Sequence, residues 1–277
     1  MTFPPPLAAG IVNVTDDSFF EGARSETPER AVADGLALVE AGFDLLDVGA
    51  VAARSGPPAD PGDEAARLVP AVERLTAASG VPVLADTFSV PVARAAIDAG
   101  AAAINDISGG ADRPLLELVA ESGCGYVLMH IEGPPRMDRS PPRYDDVVEH
   151  LKRWFTERLE AATAAGVDPE QVVLDPGLDF DLSVEDDLEI LRRLGELRAL
   201  GRPLFMAVSR KDFLGAVLAG SWEERLEPSE REGATLAVTA LAAAAGAELF
   251  RLHDASALDA MRVASAITNP GSAGILA

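Results

Sequence analysis

Residues 82–110 read PVLADTFSVPVARAAIDAGAAAINDISGG, and the fold can be read outward from them. Val83-Leu84-Ala85 is a short apolar run that stops at Asp86-Thr87. Val90 to Ala99 has helical spacing, and Ala102-Ala103-Ile104 is a second apolar run that stops at Asn105-Asp106, before Gly109-Gly110. Neither run alternates with polar residues, which is the pattern of a parallel strand covered on both faces. Asp86 and Asn105 therefore stand at the carboxyl ends of neighbouring strands, the edge at which parallel sheets and barrels bind ligands. The alternative is that each merely caps a helix, and only recurrence at other strand ends argues against it.

The pattern recurs along the whole chain. Strand one is Ala9 to Val14, with Asn13 near its end, and the polar loop 15–22 after it carries Phe19 and Phe20, as a lid would. Pro28 and Glu29 open helix one, which stops at Gly42. Strand two, Phe43 to Val48, ends in Asp47-Val48-Gly49; a stiff loop with Arg54 leads to helix two, Asp63 to Ala78. Helix four spans Arg113 to Glu121, and strand five, Tyr126 to Met129, ends at His130. Helix five is expected from Tyr144 to Ala165, strand six over Val172 to Leu174 before Asp175-Pro176-Gly177, and helix six from Val184 to Leu200. Strand seven, Pro203 to Val208, ends at Ser209-Arg210-Lys211 and is followed by a short helix, Asp212 to Ala219. Helix seven, Arg231 to Ala245, is Ala-rich, as a close-packing face against a helix or another subunit would be. Strand eight, Glu248 to Leu252, ends near His253, and helix eight covers Ala257 to Ile267.

Eight strand-helix units in 277 residues predict a closed (β/α)8 TIM barrel, one domain over 1–277 with its core at about 9–267. An open doubly wound sheet is the competing arrangement, but no strand is followed by the spaced glycines of a dinucleotide site. A formal charge of −22 disfavours general affinity for nucleic acid or acidic membranes. The single Cys124 excludes a disulfide framework within the chain, and no basic leader or long apolar span is evident, so a cytoplasmic protein is expected. Only Lys152 and Lys211 are lysines, against 21 arginines, so Lys211 beside Arg210 suggests a place that needs a compact ammonium.

The strand ends carry two kinds of group. Asp86, Asn105 and Asp175 offer acceptors to a planar heterocycle bearing N–H and amino donors, and Lys211 can donate to a ring carbonyl. Asn13, Arg251, His253 and Arg54 suit a phosphate or diphosphate, with a helix N-terminus just beyond. Such a pair of subsites suits displacement of a diphosphate, with carboxylates facing the carbon that gains positive charge and Arg, His and Mg²⁺ facing the leaving group. Each residue has a plainer reading: Asp175 before Pro-Gly as a turn former, Arg251 as an ion-pair partner of Asp254, His253 as a structural histidine. No nucleophile-histidine pairing and no compact zinc ligand spacing stand out.

These segments resemble dihydropteroate synthases, the pterin-binding barrels of folate biosynthesis. The resemblance runs from Gly10 to about Ile267. It is carried by GIVNVT (10–15) with Asp17-Ser18-Phe19, Asp47-Val48-Gly49, Asp86-Thr87, Ile104-Asn105-Asp106 with Ser108-Gly109-Gly110, Leu128-Met129-His130, Asp175-Pro176-Gly177, Ser209-Arg210-Lys211, Glu224-Arg225-Leu226-Glu227 and Arg251-Leu252-His253-Asp254.

The resemblance implies a transferase that joins 6-hydroxymethyl-7,8-dihydropterin diphosphate to 4-aminobenzoate, releases diphosphate, and is a sulfonamide target. It implies pterin binding by Asp86, Asn105, Asp175, Lys211 and Met129, with Asp86, Asp175 and Lys211 central to catalysis. Diphosphate falls to Asn13, Arg251 and His253, Mg²⁺ to Asn13, and 4-aminobenzoate to Arg54, Phe180 and Ser209. A homodimer is the family habit.

Departures from the family pattern gather in two loops. Val51-Ala52-Ala53-Arg54-Ser55 replaces a Glu-Ser-Thr-Arg-Pro run. Asp179-Phe180-Asp181-Leu182 replaces Gly-Phe-Gly-Lys, Asp186-Asp187 replaces His-Asn, Asp16 replaces Pro, and Asp212 replaces the Ser after the lysine. These changes keep open a paralogue that binds pterin diphosphate without using 4-aminobenzoate. A methyltetrahydrofolate:corrinoid methyltransferase shares the pterin-binding fold but has no use for the diphosphate donors Arg251 and His253.

Overall fold

A computed structural model describes residues 6–14, 27–53, 56, 59–137 and 140–268. Eight parallel strands form one sheet: β1 (Leu7–Asn13), β2 (Leu45–Gly49), β3 (Val83–Asp86), β4 (Ala103–Asp106), β5 (Gly125–Met129), β6 (Val172–Asp175), β7 (Phe205–Met206) and β8 (Leu249–Leu252). The order β6-β5-β4-β3-β2-β1-β8-β7 runs round the sheet, and a parallel bridge between Leu174 and Leu204 joins its two ends. The expected TIM barrel is thus observed. Helices α1 (Pro28–Glu40), α2 (Pro61–Ala78), α3 (Val90–Asp98), α4 (Arg113–Ser122), α5 (Val147–Ala164), α6 (Val184–Arg192), α7 (Leu194–Leu197), α8 (Asp212–Ala219), α9 (Glu232–Ala244) and α10 (Ala255–Thr268) surround it.

Strand side chains alternate faces with a period of two, so each strand contributes every second residue to the barrel interior. Ala9, Leu45, Leu84, Val127, Phe205 and Leu249, with Ala103 and Val173 packed against them, form an apolar floor. Two residues further along each strand lie Ile11, Asp47, Asp86, Ala207, Arg251, Asn105, Met129 and Asp175. The residues between these point outward against the helices, as the buried Leu46, Ala85, Ile104, Leu174 and Phe250 do in the main core. A dry floor and one polar layer above it follow from register alone.

Most boundaries shift from expectation by one or two residues, and three differences have a clear local cause. Helix five starts at Val147 and not at Tyr144, because the Asp146 carboxylate caps it, accepting the Glu149 N–H at 3.0 Å. The helix expected over Val184–Leu200 is broken into α6, α7 and a 3₁₀ turn at Arg198–Leu200. The break falls at Arg193, whose guanidinium reaches Asp146 (2.9 Å) and Glu196 (2.8 Å), next to Gly195, a poor helix former. The strand expected over Pro203–Val208 keeps only Phe205 and Met206 in its ladder. Pro203 has no N–H, and the Leu204 N–H goes to the Glu248 side chain at 3.0 Å.

Candidate active site

The cleft at the carboxyl ends of the strands is lined by Asn13, Asp86, Asn105, Met129, Asp175, Phe180, Ser209, Lys211, Arg251 and His253, every expected site residue except Arg54. Arg54 and the loop 15–26 lie outside the described residues. Asp86 and Asn105 do not cap helices. Helix α3 begins after Ser89 and α4 after Asp112, while Asp86 accepts from Arg251 Nη2 at 3.0 Å and Asn105 Nδ2 donates to Asp47 Oδ2 at 3.1 Å. Asp47 is fully buried, and its Oδ2 also accepts from Arg251 Nε.

In the sequence pattern Asp47 is only a polar strand end. The structure makes it the support that fixes both Asn105 and Arg251, and its interior register opposite the floor residue Leu45 was the available signal. The ion-pair partner first considered for Arg251, Asp254, is taken instead by Arg210, whose Nη2 lies 2.7 Å from Asp254 Oδ2.

Asp175 serves two purposes: Oδ1 accepts the Gly177 N–H at 2.8 Å, which shapes the turn, and the carboxyl still lines the cleft. Lys211 Nζ donates to the Leu178 carbonyl at 2.8 Å and lies 4.7 Å from the centre of the Phe180 ring. His253 Nδ1 lies 2.8 Å from Ser209 Oγ, so these two residues position each other. Ile107, Met129 and Ile131, with Ala53, Phe88 and Phe180 beside them, supply an apolar wall against which an aromatic ring can lie.

Burial pushes the Asp86 carboxyl up to about 7, against the pull of the Arg251 charge. It also pushes Asp175 up to about 6, against the pull of Lys211. Burial brings His253 down to about 3, with Arg251, Arg210 and Lys211 adding repulsion, so its imidazole is neutral at ordinary pH. Burial alone would lower the Arg251 guanidinium; Asp47 and Asp86 reverse that and raise it.

His130 belongs to the outward set, one residue past the inward Met129. Its ring is buried against Trp154 (5.0 Å between centroids), and Nε2 faces Glu132 at 3.1 Å, away from the cleft. Asp106 likewise turns outward and accepts from Tyr126 Oη and from the N–H groups of Ser108 and Gly110, so it shapes the loop after β4 without entering the site.

The departures of the loop after β6 also find places. Asp179 is buried and accepts the Asp212 and Phe213 N–H groups, Asp187 Oδ1 accepts the Asp179 N–H, and Asp181 Oδ2 accepts the Glu132 N–H. Burial, then the Asp179 charge, holds Asp187 well above the usual carboxylate range. Asp212 pairs with the buried Arg231 at 2.6 Å, and Leu182 is buried.

The sequence profile of the pterin binding enzyme family matches residues 9–253. A dihydropteroate synthase of Mycobacterium leprae is 42% identical over 279 residues, covering 98% of this chain and 96% of that one. This chain belongs to the dihydropteroate synthase family. Among solved family members, the Xanthomonas albilineans dihydropteroate synthase bound to 4-aminobenzoic acid is 40% identical, covers 96% of this chain and 94% of that one, and superposes with a TM-score of 0.85. A second M. leprae protein, named inactive dihydropteroate synthase 2, is 41% identical over 90% of this chain and 85% of its own. The dihydropteroate synthase family thus includes a relative named as inactive at nearly the same identity.

Proposed function

We propose that this chain acts as a dihydropteroate synthase, condensing 6-hydroxymethyl-7,8-dihydropterin diphosphate with 4-aminobenzoate in folate biosynthesis. The observation that carries the reading is the single cleft in which Asp86, Asn105, Asp175 and Lys211 face Asn13, Ser209, Arg251 and His253. The bond from the pterin methylene carbon to the diphosphate oxygen breaks, the carbon–nitrogen bond to the arylamine forms, and the amine loses a proton.

Asp86 and Asp175 accept from the pterin's N–H and amino groups, Asn105 adds its amide, and Lys211 donates to the ring carbonyl. The two carboxylates also stabilise the positive charge that develops at the methylene as the leaving group departs. Diphosphate is held by Arg251, by neutral His253 as a hydrogen-bond donor, and by Asn13. Met129 and Phe180 flank the rings, and Ser209 orients His253. Arg54 joins the aminobenzoate side by family resemblance.

The donor set at the end of β1 fits Mg²⁺. Asn13 offers a hard amide oxygen at the cleft, and Mg²⁺ ordinarily takes one or two protein oxygens together with substrate phosphates and water. When bound there, it neutralises charge on the diphosphate.

A homodimer is supported by Leu241 on α9 and by Val263 and Ile267 on α10, exposed apolar side chains on two helices that pack side by side. The lone, buried Cys124 is compatible with a reducing, cytoplasmic setting.

The test is purified protein with Mg²⁺, the pterin diphosphate and 4-aminobenzoate, following diphosphate and dihydropteroate together. Formation of both in equal amounts is expected. Tight pterin binding with no product would replace this reading with that of a non-catalytic paralogue, which the altered loop after β6 and the inactive M. leprae relative favour.

A further inference from the structure

Asp179 stands in the loop after β6 with its backbone at φ +70°, a conformation that among residues with a Cβ is visited chiefly by Asn and Asp. A carboxylate kept buried beside a binding cleft invites the question of what it does there. Both of its oxygens are committed. Oδ2 accepts the Asp212 N–H at 2.5 Å and Oδ1 accepts the Phe213 N–H at 2.9 Å, the first two N–H groups of α8. No α8 cap comes from Lys211, the residue at the capping position, so Asp179 fills that place from another loop.

Helix N-termini attract anions through their free N–H groups and the helix dipole. This one opens on the cleft, where Asp179, Phe180, Lys211 and Asp212 all form part of the wall. An aromatic acid entering beside Phe180 therefore meets a helix end already occupied by the protein's own carboxylate. The buried Arg210 guanidinium on the same wall is paired with Asp254 at 2.7 Å, and that of Arg231, behind Asp212, is bound to the Asp212 carboxylate at 2.6 Å. Lys211, whose ammonium donates to the Leu178 carbonyl, is given to the pterin, so among the described residues the second substrate is met chiefly by Phe180 and the apolar wall of Ile107, Met129 and Ile131.

We propose that Asp179 determines specificity for the amine substrate. Its carboxylate takes the anion-accepting end of α8, so the amine is recognised through its aromatic ring, and uncharged aryl amines are accepted on a par with 4-aminobenzoate. This deepens the reading of the preceding subsection and rests on it.

The experiment compares 4-aminobenzoate with 4-aminobenzamide, its uncharged analogue, in wild type, Asp179→Gly and Asp179→Asn. Gly and Asn both tolerate a positive φ, so both variants keep the loop conformation. In wild type the two amines are expected to have kcat/KM values within about threefold of each other. In Asp179→Gly the freed N–H groups accept a charge-assisted bond, and preference for the acid rises by about tenfold or more, mainly through KM. Asp179→Asn, which removes the charge and keeps the bulk, is expected to lie between.

Titration calorimetry of both amines into protein holding Mg²⁺, diphosphate and a pterin reads the same ratio without turnover, so a chain that binds pterin yet makes no product still decides the matter. Acid binding gained most in Asp179→Gly and to a lesser degree in Asp179→Asn supports the proposal. A wild-type preference for the acid of tenfold or more overturns it, as does a ratio that neither variant moves. Failure of the pterin diphosphate to bind at all would instead overturn the functional reading.

Discussion

Arg251 at the end of β8 reaches across the barrel mouth to Asp86 at the end of β3, Nη2 to Oδ2 at 3.0 Å, while its Nε is held by Asp47 at the end of β2. One guanidinium thus pairs with the buried Asp47 and the nearly buried Asp86 and ties three strand ends together. Removing one partner of such a cluster leaves unpaired buried charge, which costs about 3–5 kcal/mol. Arg251→Ala is expected to lose about that much stability in urea unfolding, and to weaken binding of the pterin diphosphate as well. A loss below about 1 kcal/mol would show that Asp47 and Asp86 do not depend on Arg251.

The same cluster gives the protein a pH dependence. Asp86 is raised by burial from 3.8 to about 7, so the folded chain holds a proton that the unfolded chain has already released. Its contribution to stability is full below about pH 4 and is lost as pH rises through about 7. In melting curves between pH 5 and pH 8, Asp86→Asn is expected to flatten the decline of wild type and to gain relative to it at the alkaline end. Parallel curves for the two proteins would remove Asp86 as the source.

Lys211 and Asp175 line the same cleft and both hold the loop after β6, Lys211 bonded to the Leu178 carbonyl and Asp175 to the Gly177 N–H. Lys211→Ala and Asp175→Asn are each expected to lower pterin affinity by at least tenfold, on the scale of one lost hydrogen bond to a charged group. Calorimetric titration with a pterin checks this, and wild-type affinity in either variant would take that residue out of the site.

Gly177 adopts φ +72°, and a Cβ there would run into the carbonyl of His130. The neighbouring backbone cannot swing aside as a long side chain could, so strain and clash add. Gly177→Ala is expected to cost about 2–4 kcal/mol in denaturant unfolding. An effect under about 0.5 kcal/mol would mean that the turn after Asp175 relaxes freely.

Most of the barrel could be read from the sequence because its strands are short, wholly apolar and punctuated by polar ends. The pairing of Asp86 with Asn105 followed from that pattern, and register turned it into a layer above the floor formed by Leu84, Ala103 and their neighbours. What could not be read were contacts between residues far apart in the chain. Asp47 and Arg251 are 204 positions apart, and no local spacing indicates that they meet. The break at Arg193 has the same origin, since the Asp146 that holds its guanidinium lies 47 residues earlier. The direction of Asp179 was equally hidden, because its partners are the N–H groups of α8, more than 30 residues on.

The outer face of α9 and α10 supplies the last expectation. Leu241 is 68% exposed on a helix whose buried residues include Thr235, Thr239, Ala242 and Ala243, so the apolar side chain sits on the face turned away from the barrel. Val263 (60%) and Ile267 (75%) stand exposed on the neighbouring helix. A partner covering this face would bury all three, and one introduced charge at its centre would then lack both water and a counter-ion. Leu241→Glu is expected to convert a dimer to monomer in sedimentation velocity while the melting profile of the monomer stays cooperative. A wild-type chain that sediments as a monomer at tens of micromolar, or a variant that remains dimeric, would move the interface elsewhere on the barrel.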